Sequence, residues 1–373
     1  MRAPTSGLAI TTASGVSTLS HVVARLVQAI CAAEDGHGMA WGPANTIVFS
    51  PGPFSDLLAV PAGGGTPVEL TKPPQGVSHR LPVFLPGGEH ALFFNAAKDS
   101  IRGELDAIDL ATRQVRKVVD AESGARYVAP GYLLYIQNGT LVAQRFEASA
   151  LTTMGSRVRV AENVDFLASM WTGPYNRAAL SPDDTRVVTV ESDRRAIWLY
   201  DLNRGVGRRL TFDTGAHDRP VWSPDGAAVV YANEDLASGG WTLSLQAADG
   251  TAGPRILYRS KTFIYPSSWS PDGKFIALTV MGNAATGRRE IRVLPMGGTD
   301  RKPFRFGQEN NPSRDGQFSP DGRWFLYTAD EPGGTQFYAV PFPRSGGKWQ
   351  IPTDSGNGFA VWITNSQIGS MTN

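Results

Sequence analysis

The chain has 373 residues, 41% of them hydrophobic, with Gly 41, Pro 26 and a formal charge of +1. The near-neutral balance gives no electrostatic case for nucleic acid or an anionic membrane, and the glycine and proline content argues for many short strands joined by turns, against disorder and against long helices. The lone Cys31 excludes an internal disulfide and a multi-cysteine zinc site, and it leaves the compartment open.

Residues 1–25 match nothing that follows and stand as an unassigned N-terminal segment. The apolar stretch 8–33 is interrupted by Ser, Thr, His21, Arg25 and Gln28, so it reads neither as a spanning helix nor as a signal-peptide core. Gln28-Ala29-Ile30-Cys31 is a poor lipoprotein cleavage box. Residues 20–33 read as a short amphipathic helix or, at 26–31, as the outer strand of a blade whose other strands lie elsewhere.

From there the chain repeats. A first unit opens at Trp41-Gly42-Pro43-Ala44-Asn45, with strands expected near 46–49, 56–60 and 67–70 and a hairpin loop at Gly63-Gly64-Gly65. A second opens at Phe84-Leu85-Pro86-Gly87-Gly88, with strands near 91–94, 104–109 and 115–119. The third, 126–161, is the most worn, keeping Val128-Ala129-Pro130-Gly131, the strand 132–136 and Asn138-Gly139, a strong two-residue hairpin signal. From Arg177 four clear units follow, marked by Leu180-Ser181-Pro182-Asp183-Asp184, Trp222-Ser223-Pro224-Asp225-Gly226, Trp269-Ser270-Pro271-Asp272-Gly273 and Phe318-Ser319-Pro320-Asp321-Gly322.

Turn chemistry explains the phrase. Proline presets φ at the first central position, aspartate bonds backbone two residues on, and glycine accepts the left-handed conformation that closes the reversal. The prolines 43, 86, 130, 182, 224, 271 and 320 are spaced by 43, 44, 52, 42, 47 and 49. Two residues before each stands an apolar anchor: Trp41, Phe84, Val128, Leu180, Trp222, Trp269 or Phe318. Four strands per unit and a period in the forties predict an all-β fold, a β-propeller of about seven four-stranded blades spanning 26–365, with six or eight permitted and 366–373 as a tail. A single blade cannot bury both its faces, so each packs on its neighbours.

The phrases Ile197-Trp198-Leu199-Tyr200-Asp201-Leu202, Arg209-Leu210-Thr211-Phe212-Asp213, 221–226, 316–327 and Val340-Pro341-Phe342-Pro343 through Gly347-Lys348-Trp349-Gln350 resemble the TolB-like, WD-like β-propeller repeat. The likeness is greatest to the propeller region that follows the kinase and membrane segments of bacterial serine/threonine protein kinases, and it covers residues from about 27 to about 354. The resemblance implies a sensor or scaffold portion lying outside the cytoplasm. Two departures stand out: residues 162–178 are short for that family, and 359–364 replace its usual next approach to an Asp-Gly turn. The kinase itself is absent: Asp165-Phe166-Leu167 lacks the glycine of the magnesium-binding motif, and His79-Arg80-Leu81 is no catalytic loop.

The repeated carboxylates Asp183, Asp225, Asp272 and Asp321 read as backbone caps of their turns. His21, His37, His79, His90 and His217 show no ligand spacing, although His79, His90 and His217 would converge if they shared one mouth of the ring. No Gly-x-Ser-x-Gly elbow occurs, and the glycine triplet at 63–65 precedes a strand, which lacks the phosphate-cradling geometry of a helix start. Arg194-Arg195, Arg208-Arg209, Arg288-Arg289 and Arg301-Lys302 read as solvated loop charges or, if they share a face, as a surface for an anionic ligand or acidic partner. The sequence therefore points to a monomeric, non-catalytic binding or sensor propeller with no cofactor, no metal and no nucleic acid, taking a protein, peptide or small ligand on a loop face. The alternative is a propeller enzyme or gating domain: a metal-assisted hydrolase or lyase, or a peptidase propeller without its catalytic domain.

Overall fold

The computed structural model describes residues 6–13, 16–23, 26–32, 37–161, 178–351, 358–364 and 367–372, apart from 53, 98–99, 101, 130, 192, 194–195, 283–287, 299–300, 307–310, 333 and 344–346. All regular structure among them is strand, so no described helix is long and apolar enough to cross a membrane. The chain divides into two compact units, residues 1–162 with 351–358 and 366–373, and residues 163–350 with 359–365.

Among the described residues seven four-stranded antiparallel sheets form the blades of a β-propeller, at 39–69, 77–121, 126–161, 178–209, 217–260, 264–306 and 313–351. Blades 1–3 belong to the first unit and blades 4–7 to the second. Leu26–Ala32 is a strand, as one of the two readings had it, but its partner is its own neighbour. It pairs with Val16–Val23, which also pairs with Ser6–Ala13. Of the region 162–178 that is short for the resembled family, residues 162–177 lie outside the described residues, as do Asp165-Phe166-Leu167 and Arg194-Arg195.

The second strands are apolar on both faces because both faces are covered. In blade 5, Val229 and Tyr231 join the cluster that holds Val188 and Ile197 of blade 4, while Val230, on the opposite face of the pleat, joins Ile276 and Leu278 of blade 6. Blades 6 and 7 meet in an aromatic cluster of Phe306, Phe318, Phe325 and Phe342. The fourth strands are edges, and they carry charges that discourage further pairing: Arg208 and Arg209 in blade 4, Arg255 and Arg259 in blade 5, Arg305 in blade 6.

Hydrogen bonds tie neighbouring blades of the second unit directly. The indole N–H of Trp222 donates to Ala179 O at 2.9 Å, and Arg186, whose guanidinium lies 4.9 Å from that indole ring, donates to Gly226 O at 3.0 Å. Ser267 Oγ donates to Gly316 O at 2.7 Å, and Phe318 N donates to Ser268 Oγ at 3.1 Å.

Candidate functional site

At the turns of blades 4–7 the carboxylates are spent locally. The hydroxyls of Ser181, Ser223, Ser270 and Ser319 donate to Oδ1 of Asp183, Asp225, Asp272 and Asp321 at 2.5–2.6 Å. Each of those oxygens also accepts the N–H two residues on, at 2.9–3.2 Å. Each serine oxygen accepts, at 2.9 Å, the N–H five residues on, which opens the second strand. The sequence reading credited proline, aspartate and glycine and overlooked the serine, which joins the turn to the strand. The Ser181 hydroxyl lowers the Asp183 carboxyl to about 2, and Asp225 is lowered in the same way by Ser223. Burial pushes Asp272 and Asp321 up, but the bonds from Ser270 and Ser319 and from backbone outweigh it and leave both low. Gly226, Gly273 and Gly322 close their turns at φ 67, 74 and 69°, and Asp184 takes the same left-handed position at 56°.

The anchors are less uniform than their shared spacing implies. Trp222, Phe318 and Val128 are buried, but Trp41, Phe84, Leu180 and Trp269 are only half-buried. An anchor sits at the end of its strand, so its enclosure depends on the neighbouring blade. Trp222 reaches across to Ala179 of blade 4, whereas the Trp269 N–H folds back onto Gly273 O of its own turn at 3.1 Å.

At the other end of the first strands the structure builds a feature that the sequence does not announce. Three residues before the anchors Phe84, Trp222 and Phe318, the chain bulges through Leu81, Arg219 and Asp315, with φ of 55, 48 and 58°. Left-handed backbone at non-glycine residues is strained, and a bulge re-aims the side chain it carries. In blades 5–7 this brings Arg219, Tyr265 and Asp315 together. The Arg219 guanidinium lies 3.5 Å from the Tyr265 ring centroid and its Nη1 is 3.4 Å from Asp315 Oδ1, to which the Tyr265 hydroxyl donates at 3.0 Å. Asp315 N donates to Thr279 Oγ1 at 3.1 Å, and Arg314 bridges from Asp315, Nε to Oδ2 at 3.6 Å, to Asp330.

Asp315 is 7% exposed, and burial pushes its carboxyl up against the opposing pull of Arg219 first, then of Tyr265 and Arg314. Burial, reinforced by the Asp315 charge, pushes the Tyr265 phenol up as well. One buried carboxylate thus holds side chains from three successive first strands. The aromatic face, the two guanidiniums and the acid form a fixed electrostatic hub whose groups already answer one another.

Of the histidines singled out by the sequence, His79 and His217 stand at the bulged ends of their blades and His90 at a turn end. His79 opens the bulged end of blade 2, where Nδ1 lies 2.8 Å from Thr71 Oγ1 and burial lowers the imidazole to about 4. His90 begins the second strand, at the turn end of the same blade, 3.4 Å from Asp109. His217 occupies in blade 5 the position of His79 in blade 2, five residues before the anchor. Among the described residues no three His, Cys, Asp or Glu side chains form a metal-holding group. The basic doublets divide between the two ends: Arg208-Arg209 closes the fourth strand of blade 4, at the end where the second and third strands are joined. Arg288-Arg289 lies where the second and third strands of blade 6 are joined, Arg301-Lys302 where the third and fourth are joined, and antiparallel order puts those connections at opposite ends. Arg208 is turned onto Ala248 O of blade 5.

No protein-family model matches the chain. Tricorn protease homolog 1 of Streptomyces coelicolor is 27% identical over 110 residues, which are 30% of this chain and 10% of that protein. A prolyl endopeptidase structure superposes at a TM-score of 0.59 and 13% identity, covering 85% of this chain and 49% of that one. TolB from Acinetobacter baumannii covers 99% of this chain and 82% of its own at a TM-score of 0.45 and 13% identity. The likeness is one of fold. The chain spans about a tenth of the tricorn homolog and about half of the prolyl endopeptidase.

Proposed function

We propose that this chain is a binding propeller, a rigid scaffold that presents its loops to a protein, peptide or small ligand and performs no chemistry of its own. The observation that carries this reading is the hub on the first strands of blades 5–7, where Arg219, Tyr265, Arg314 and Asp315 are engaged with one another across blades. Groups held in mutual ion pairs rigidify a scaffold, whereas a general acid or base needs an open approach to the proton it moves. The repeat phrases carry the finer part of the reading, a sensor portion like that of bacterial serine/threonine kinases, working outside the cytoplasm.

The test is a screen of the full chain against ester, peptide, glycoside and uronate substrates, alongside the Asp315→Asn variant. The expected result is no turnover that distinguishes the two proteins. A turnover present in the parent and lost in Asp315→Asn overturns the binding reading and makes the hub an active site. The match to a tricorn homolog favours a second reading, the propeller portion of a peptidase. The flanking coding sequence separates the two: a kinase and membrane segment upstream supports the sensor, and a peptidase domain supports the second.

A further inference from the structure

The connection from blade 4 to blade 5, residues 210–216, carries the most exposed large apolar side chain of the described surface, Phe212, at 77%. An aromatic ring left so open on a short connection is the kind of group that partner surfaces take up. The Arg209 guanidinium lies 5.6 Å from its centroid, and Arg209 Nε donates to Thr211 O at 2.6 Å. The next residue, Asp213, reaches back to blade 5, where its Oδ1 lies 3.0 Å from Nε2 of the wholly buried His217.

That contact is close but not directed. Neither ring nitrogen of His217 nor Asp213 Oδ1 has a well-aimed hydrogen bond within the protein, and the same is true of the Tyr231 hydroxyl and Asn233 Oδ1. Tyr231 and Asn233 flank the imidazole, the first with its ring centroid 5.6 Å away, the second opposite His217 in the strand ladder. A contact at this distance without hydrogen-bond direction is held by charge. With the imidazole protonated it is an ion pair in low dielectric, and with the imidazole neutral only the weaker, poorly aimed attraction of a ring N–H for the carboxylate is left.

The two ends of the connection are fixed without His217: Thr211 Oγ1 accepts the Ile197 N–H of blade 4 at 2.9 Å, and Glu234 N donates to Ala216 O at 2.8 Å. From the second strand Glu234 accepts the Ala216 N–H at 3.3 Å. Blade 4 presents the apolar Val188, Val190 and Ile197, and Asp218 follows His217 along the first strand. Burial pushes the Asp213 carboxyl up, and the contact with His217, together with the backbone N–H groups of Gly215 and of Asp213 itself, more than reverses this.

We propose that Asp213 and His217 form a proton-operated latch: the imidazolium holds residues 212–215 on blade 5, and loss of its proton loosens that segment and changes how Phe212 is presented. The test is amide hydrogen exchange of residues 212–215 in the full chain between pH 5 and 8.5, corrected for the intrinsic pH dependence of exchange. Protection is expected to fall at least tenfold across that range in the parent, to be flat with pH in His217→Gln, and to be low throughout in Asp213→Asn. Near-ultraviolet circular dichroism separates loss of the latch from loss of the fold, and the partly exposed Asp213 provides a readout if His217→Gln does not fold. Equal protection at both ends of the range in the parent overturns the latch, as does a pH dependence that survives in Asp213→Asn.

Discussion

At the turn end of blades 4–7 the carboxylates of Asp183, Asp225, Asp272 and Asp321 serve their own loops, whereas at the bulged end the carboxylate of Asp315 serves three blades. The turn carboxylates bond a serine two residues back and an N–H two residues on, so each turn is complete within about six residues. Asp315 bonds Tyr265, pairs with Arg219 and receives its own N–H partner from Thr279, so its surroundings come from strands up to 96 residues away. A local motif can be copied from blade to blade and tolerates wear: in blade 2 the turn keeps its backbone bond, Gly88 N to Leu85 O at 3.0 Å, without serine or aspartate. A hub built across blades is made once and fails as a unit.

The largest effect lies where the turn end meets the core. Trp222→Ala is expected to cost roughly 3–5 kcal/mol in urea unfolding, as for a buried large aromatic, and Trp269→Ala about 2 kcal/mol, because that ring is less completely buried and removes less apolar area. Equal losses would show that the shared spacing, and not the reach of Trp222 to Ala179, sets the packing.

At the bulged end, Arg219→Met leaves the Asp315 carboxylate without its principal counter-charge and is expected to cost about 3 kcal/mol. Adding Asp315→Asn to it is expected to restore a third or more of that loss, since the Tyr265 hydroxyl can still donate to an amide oxygen. A single mutant that melts with the parent would dissolve the hub.

Acid is expected to separate the two ends in order. Burial lowers the folded imidazole of His79 to about 4 from its ordinary value near 6.5, so the unfolded chain binds the proton first. Stability is therefore lost as pH falls from about 6.5 to about 4, by about 2–3 kcal/mol, and His79→Gln removes that stage. The turn aspartates have lowered folded values, about 2 for Asp183, so their contribution is intact above about pH 4 and fades only below it. These carboxylates are largely solvent-screened, and each is worth less than about 1 kcal/mol. A parent whose unfolding midpoint is unchanged between pH 6.5 and 4 would refute the order.

The spacing of the prolines and the recurrence of Ser-Pro-Asp-Gly were enough to read four-stranded blades and a propeller, because a β-turn is decided by the φ preferences and side-chain bonds of neighbours in sequence. They also place Asp183, Asp225, Asp272 and Asp321 at turns, where each accepts the backbone N–H two residues on. The left-handed bulges at Leu81, Arg219 and Asp315 were beyond that reach, since the three residues share no chemistry and the bulge is a property of strand pairing. The meeting of Arg219 with Asp315 and of Asp213 with buried His217, and the difference in enclosure between Trp222 and Trp269, likewise depend on which blade face stands opposite. Repetition along a chain records what each segment does to itself, and only packed neighbours decide how a side chain is used.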